Sequence, residues 1–188
     1  MYLDNLNLGI SYPDFDYWVK DGIVSKQLGV RVAPEDLWVQ CDDDRKEYWT
    51  YEEYKELETK LLIPNGWRLP TDEEWLVLLK EFGTNMFGDT DHRCLMSSLG
   101  LKYGGYIKEN DILAYNSFPN DPFYVHNLGL GGYYLTSNSP LGDTDTDNAV
   151  SRYLFFLKEY DAKYSYDYIG ISGVLVKEAY AARCIAIQ

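Results

Sequence analysis

Long apolar runs, basic residues, cysteine and histidine are all scarce in this chain of 188 residues, and each scarcity removes a class of function. No stretch reaches the roughly 18 consecutive apolar residues of a membrane-spanning helix, so no membrane insertion is expected. The opening Met1-Tyr2-Leu3-Asp4-Asn5-Leu6 has neither the basic nor the apolar region of a secretion signal. As written, the chain reads as soluble and without an export address, which leaves its compartment open. Lysine and arginine number 17 against 30 aspartates and glutamates, a formal net charge of −13 spread along the chain. Such a surface repels phosphate backbones and anionic lipid, so neither nucleic acid nor a membrane surface is expected as a partner.

The three cysteines, Cys41, Cys94 and Cys184, form no CxxC pair and have no zinc-like spacing. They read as free thiols, with a single disulfide and one thiol left over as the alternative. A nucleophilic cysteine would have only His92 or His126 as its base. Both histidines read as ordinary polar residues. Gly-x-Ser-x-Gly, the P-loop, His-Glu-x-x-His and glycine-rich dinucleotide motifs are all missing, and no enzyme is expected.

What is present is aromatic: 18 tyrosines and 5 tryptophans within a hydrophobic fraction of 46%. That excess points to a β-rich fold, a contact surface, or both. The length suits one domain over residues 1–188, and no internal repeat or low-complexity block divides it. Residues 1 to 30 are aromatic and irregular, with one or two short strands expected between Gly22 and Val32 before Pro34.

Two helices announce themselves by their starts. Thr50 with Glu53 makes a capping box, followed by Tyr51, Tyr54, Leu57 and Leu61 at helical spacing up to Pro64-Asn65-Gly66. Thr71 with Glu74 makes a second, followed by the stripe Trp75, Leu78, Leu79, Phe82 and the stop at Gly83. Residues 84 to 130 are expected to be mostly loop, with a short helix around Arg93 to Leu99. Strand-like runs return at Tyr133-Thr136, Ser151-Leu157, Gly173-Val176 and Ala181-Ile187. Strands at both ends with helices between make an α+β chain.

Between the helices, Gly66-Trp67-Arg68-Leu69-Pro70-Thr71-Asp72-Glu73-Glu74-Trp75 reads as a strand-to-helix junction. Gly66 permits the turn, Pro70 holds Leu69 extended, Thr71 caps the helix, and Trp67 is placed to plug the core. This block, with Tyr48-Trp49-Thr50-Tyr51-Glu52-Glu53 before it and Leu99-Gly100-Leu101-Lys102, Gly132-Tyr133-Tyr134-Leu135-Thr136-Ser137 and Ala182-Arg183-Cys184-Ile185 after it, resembles the major paralogous domain first noted in Fibrobacter. That family is a branch of the C-type-lectin-like superfamily, which also holds sulfatase-modifying factors and the variable proteins of diversity-generating retroelements.

The resemblance implies a C-type-lectin-like fold, two main helices flanking small antiparallel sheets with long irregular loops. Residues 35–188 would be the family-like core and residues 1–34 an N-terminal extension with the first strands. It also implies a cell-surface, secreted or virion-associated setting. Relatives often carry a cysteine just before the Gly-Trp-Arg block, where this chain has Ile63, so Cys184 has lost that partner and reduced cysteines are expected. The copper-binding cysteine pair of the sulfatase-modifier branch has only Cys184 to match it. The sugar-coordinating tripeptides of animal lectins have no counterpart.

Two segments are candidates for a site. Tyr160, Tyr164, Tyr166 and Tyr168 are interleaved with Asp161, Lys163, Ser165 and Asp167, which would put rings on one face of a polar strand or loop, in the manner of antibody paratopes. Tyr160, Asp161, Tyr164, Tyr166, Asp167 and Tyr168 are therefore the expected ligand contacts, against a plain hairpin whose rings cover a sheet. Asp143, Asp145 and Asp147 alternate like the start of a calcium loop, but Asn148 replaces the turn glycine and Leu154 the bidentate glutamate. A calcium or magnesium site and a solvated acidic loop both stay open there; no other cofactor is expected. Asp42-Asp43-Asp44 reads as a solvated turn.

The expected function is a non-enzymatic binding module of a bacterial or phage surface protein, holding a protein or glycan through its C-terminal loop face. The alternatives are a retroelement-diversified variable protein, although Ile169-Gly170-Ile171-Ser172 only approximates the family's usual terminal pattern, and an assembly domain of a pilus tip or tail fibre.

Overall fold

A computed structural model describes residues 10–60, 62–137, 151–158, 169–174 and 176–188. In chain order its elements are β1 (Ile10–Ser11), α1 (Phe15–Asp21), β2 (Ile23–Ser25), β3 (Val30–Val32), β4 (Val39–Cys41), β5 (Asp44–Lys46), α2 (Tyr51–Thr59), β6 (Trp67–Arg68), α3 (Asp72–Phe82) and α4 (His92–Leu99). There follow β7 (Tyr106–Ile107), α5 (Ile112–Ser117), β8 (Val125–His126), β9 (Gly131–Leu135), β10 (Ser151–Leu157), β11 (Ile169–Val174) and β12 (Ile185–Ile187). The described chain is thus α+β, five helices set among small antiparallel sheets.

Its two ends meet: β12 pairs antiparallel with β3 and with β6, in the sheet order β2-β3-β12-β6. A second sheet has the order β11-β10-β9, and β1-β4-β5 and β7-β8 make two smaller ones. The β11-β10-β9 sheet divides the core, because alternate residues of a strand face opposite sides. Tyr134, Leu154 and Phe156 join Trp75, Leu78, Leu95 and Leu99 on one side. Tyr133 and Leu135, with Tyr153, Phe155 and Leu157 partly open, join Trp18, Trp49, Trp67 and Tyr180 on the other.

Both capping boxes form. Thr50 Oγ1 accepts from Glu53 N at 3.1 Å while Glu53 accepts from Thr50 N, and Thr71 and Glu74 repeat the pattern. The junction is built as its sequence implies: Gly66 sits at φ 96°, Trp67 is buried against Trp18 with ring centroids 5.2 Å apart, and Leu69 and Pro70 are buried ahead of α3. Arg183, wholly buried, clamps the two ends of the chain to the middle. It donates to Asp36 at 2.7 and 3.0 Å, to the Ala33 carbonyl at 3.1 Å, to the Gly100 carbonyl at 3.0 Å and to the Leu99 carbonyl.

Several expectations need correction. The N-terminal stretch contains a regular element, α1, capped by Asp14 through Asp16 N at 3.0 Å. Only Trp18 of its seven residues is buried, so no apolar stripe marks it. Residues 84 to 130 hold more than α4: α5, the β7-β8 pair and 3-10 turns at Glu109–Asp111 and Pro122–Tyr124. α5 buries only Tyr115 and leaves Leu113 exposed, which breaks its helical pattern. The strand expected at Gly173–Val176 begins at Ile169, where pairing with Phe156 starts, and β12 is confined to Ile185–Ile187.

Candidate functional site

The expected contacts Tyr160, Asp161, Tyr164, Tyr166, Asp167 and Tyr168, and the acidic positions Asp143, Asp145 and Asp147, lie outside the described residues. The described part nevertheless carries its own tyrosine surface, assembled from four places in the chain.

Its hub is the extended segment from Glu178 to Ala181. Ala179 exchanges backbone hydrogen bonds with Ile107 of β7 at 2.9 and 3.0 Å, and Tyr180 does the same with Trp49. Ala181 bonds across to β9, accepting from Leu135 N at 2.9 Å. These bonds draw β7 and the open edge of the β9-β10-β11 sheet onto one strip. Gly105, at φ 69°, lets β7 approach β8 so closely that a side chain there would collide with the His126 carbonyl.

On this strip Tyr106, Tyr133, Tyr153 and Tyr180 form a continuous cluster. Ring centroids are 4.8 Å apart for Tyr106 and Tyr133, 4.6 Å for Tyr153 and Tyr180, and 5.7 Å for Tyr133 and Tyr153. Tyr133 and Tyr180 are the buried floor; Tyr106, Tyr153 and the neighbouring Phe155 are half open to solvent. The exposed His126 ring lies 5.5 Å from Tyr106 at the rim.

Glu178 supplies a carboxylate in contact with Tyr180. It is half buried and accepts a hydrogen bond from Tyr180 Oη at 2.6 Å. Among the described residues it joins no ion pair. Burial raises its pKa above the usual glutamate range, and the Tyr180 bond, then the charges of Lys108 and His126, act against that rise while Glu109 adds to it. Burial likewise pushes Tyr106 up to about 12, raises Tyr153, and raises Tyr180 well beyond the ordinary phenol. At neutral pH the face therefore offers protonated phenols and ring surfaces beside the carboxyl acceptor of Glu178.

Cys184, Lys46 and His92 are each buried or bonded elsewhere. Cys184 is fully buried and its thiol is pushed up to about 12 by that burial, the opposite of a nucleophile's environment; Cys41 and Cys94 are free thiols too. Buried Lys46, whose pKa burial lowers and Glu53 raises, is tied to Glu53 at 2.8 Å and to Asn116 between β5, α2 and α5. His92 meets Tyr103 Oη at 2.6 Å and stacks on Phe156. Asp42 and Asp43 form the exposed turn between β4 and β5, as their sequence suggests. Among the described residues no group of three or more His, Cys, Asp or Glu side chains is placed to hold a metal ion, and no helix is long and apolar enough to cross a membrane.

Sequence reasoning did not single out Tyr106, Tyr153, Tyr180 or Glu178. The available signal was the run Tyr153-Leu154-Phe155-Phe156, aromatic on both faces of one strand, where a single buried face would leave the other polar.

No protein-family model, curated protein or solved structure matches the chain.

Proposed function

We propose that this chain is a non-enzymatic ligand-binding module with a C-type-lectin-like fold, part of a bacterial or phage surface protein, and that it holds a protein or glycan on its tyrosine face. Support for the fold comes from the paired chain ends, the two capped helices α2 and α3, and the Gly66–Trp75 junction. The observation that carries the function is the tyrosine cluster, half open to solvent around the half-buried Glu178.

Tyrosine suits this role because it presents a large rigid area with few rotatable bonds and a polar tip. Tyr106 and Tyr153 stand on strands, so their orientation is fixed before a ligand arrives. This preorganisation lowers the ordering cost of binding.

The test is capture of host-surface proteins together with glycan-array binding, comparing the parent chain with Tyr106→Ala and Tyr153→Ala. Each substitution at a contact centre should weaken capture by at least tenfold, equivalent to about 1.4 kcal/mol. Undiminished capture by two folded variants would reject the face as the binding surface.

A further inference from the structure

We infer that the tyrosine face receives a cationic side chain of a protein partner, an arginine guanidinium before a lysine ammonium, laid over Tyr106 and Tyr153 and paired with Glu178. The inference rests on the binding-face reading above and adds the chemistry of the ligand.

Three observations converge on a cation. Tyr106 and Tyr153 keep part of their side chains open to solvent, and the face of an aromatic ring is negative and attracts cations. Glu178 lies within electrostatic reach of Tyr106, Tyr153 and Tyr180, so its charge adds to theirs. And Glu178 Oε2 accepts from Tyr180, while Oε1 takes no hydrogen bond among the described residues.

The cost of covering Glu178 decides between ligand classes. Any ligand that lies across the face completes the burial of a carboxylate that is already half desolvated. A neutral ligand would leave that charge buried and unpaired, or force it to take up a proton. A guanidinium pairs with it and stacks on the rings at the same time, using a planar shape that an ammonium lacks. The chain's net charge of −13 draws basic partners toward the face from a distance.

Lys108, Glu109 and His126 are the other charged or titratable groups acting on Glu178. All three are exposed. Solvent therefore screens the repulsion between Lys108 and an incoming cation. The two ligand classes differ in pH response: a cation should bind less well as acid neutralises Glu178, whereas a neutral ligand should bind better.

The experiment titrates the protein with N-acetylarginine amide, its uncharged isostere N-acetylcitrulline amide, and methyl glucoside, following the ring resonances of Tyr106 and Tyr153 by NMR at neutral and mildly acidic pH. Expected are saturable shifts with the arginine probe, at least tenfold weaker binding of the citrulline probe, and loss of that difference in Glu178→Gln. The glutamine carbonyl can still accept from Tyr180, so the variant keeps the local fold, and Tyr153→Leu gives a second variant that removes a ring and should weaken the arginine probe.

Equal binding of arginine and citrulline, or an unchanged preference in Glu178→Gln, overturns the cation. Shifts with methyl glucoside alone, stronger in acid, also overturn it, but leave the face standing as a glycan site. Silence from all three probes overturns it too, and the capture assay with Tyr153→Ala then decides separately whether the face binds anything.

Discussion

The Gly66–Trp75 junction and the tyrosine face are both rich in aromatic side chains, yet the groups that cap and grip the junction are paired where those of the face are only partly so, the junction's exception among the described residues being the buried Asp72 Oδ1, which takes no hydrogen bond. At the junction Thr71 and Glu74 cap each other, Arg68 grips Glu74 through two bonds of 2.6 and 2.9 Å, and Trp75 Nε1 donates to the Leu135 carbonyl at 3.2 Å. At the face, the Glu178 carboxylate has one hydrogen bond among the described residues, from Tyr180, and Tyr106 and Tyr153 stay partly open to solvent. Paired polar groups and sealed rings hold a fold together; half-satisfied groups and open rings are what a ligand can complete. The contrast separates residues that make the structure from those that use it.

The largest test of the contrast is Trp75→Ala. Trp75 is fully buried between α3 and the β9-β10-β11 sheet, and its loss would open a cavity and leave the Leu135 carbonyl without its donor. Truncation of a buried tryptophan costs about 3–5 kcal/mol, a large share of the roughly 5–15 kcal/mol that holds a domain together. Denaturant unfolding should register that loss; a change under about 1 kcal/mol would mean that the junction is not the structural centre.

Thr71→Ala is the intermediate case. It removes the cap of α3 and releases Glu74 N, with a loss of about 1 kcal/mol expected in the same unfolding measurement. Binding at the tyrosine face should be unaffected, because the cap touches none of its rings. A matching loss of capture would show that the two regions are coupled.

How far each region was legible follows from the distance between its parts. Thr71 and Glu74 are three residues apart, so the sequence displays the whole cap, as it does for Thr50 and Glu53. α1 and α5 are short and bury one ring each, Trp18 and Tyr115, leaving too little periodicity to read. The face is the extreme case: Tyr106, Tyr133, Tyr153 and Tyr180 come from separate parts of the chain and meet only through strand register and the bridges at Ala179, Tyr180 and Ala181. Composition announced an aromatic surface, and alternation pointed to 160–168, but nothing local marks Glu178. Its importance comes from burial beside Tyr180 and within reach of Tyr106 and Tyr153, two rings that are distant in sequence.

Glu178→Gln has the smallest expected effect and the most informative sign. An acid whose folded pKa lies above its unfolded value binds protons more readily in the folded state, so its ionisation destabilises the fold as pH rises through that interval. Glutamine carries no charge and can still accept from Tyr180. The variant should therefore be slightly more stable than the parent at neutral pH, by under about 1 kcal/mol after solvent screening of a half-exposed group is allowed for. The difference should shrink as pH falls below the ordinary glutamate range, near about 4.3, where the parent carboxyl is protonated in both states. Thermal unfolding of both proteins across that range tests the sign directly. A less stable variant at neutral pH would place Glu178 with Glu74, whose pKa Arg68 lowers and whose ionised form supports the fold. A more stable one identifies a carboxylate held charged at the expense of the fold, which is expected of a group kept for a ligand.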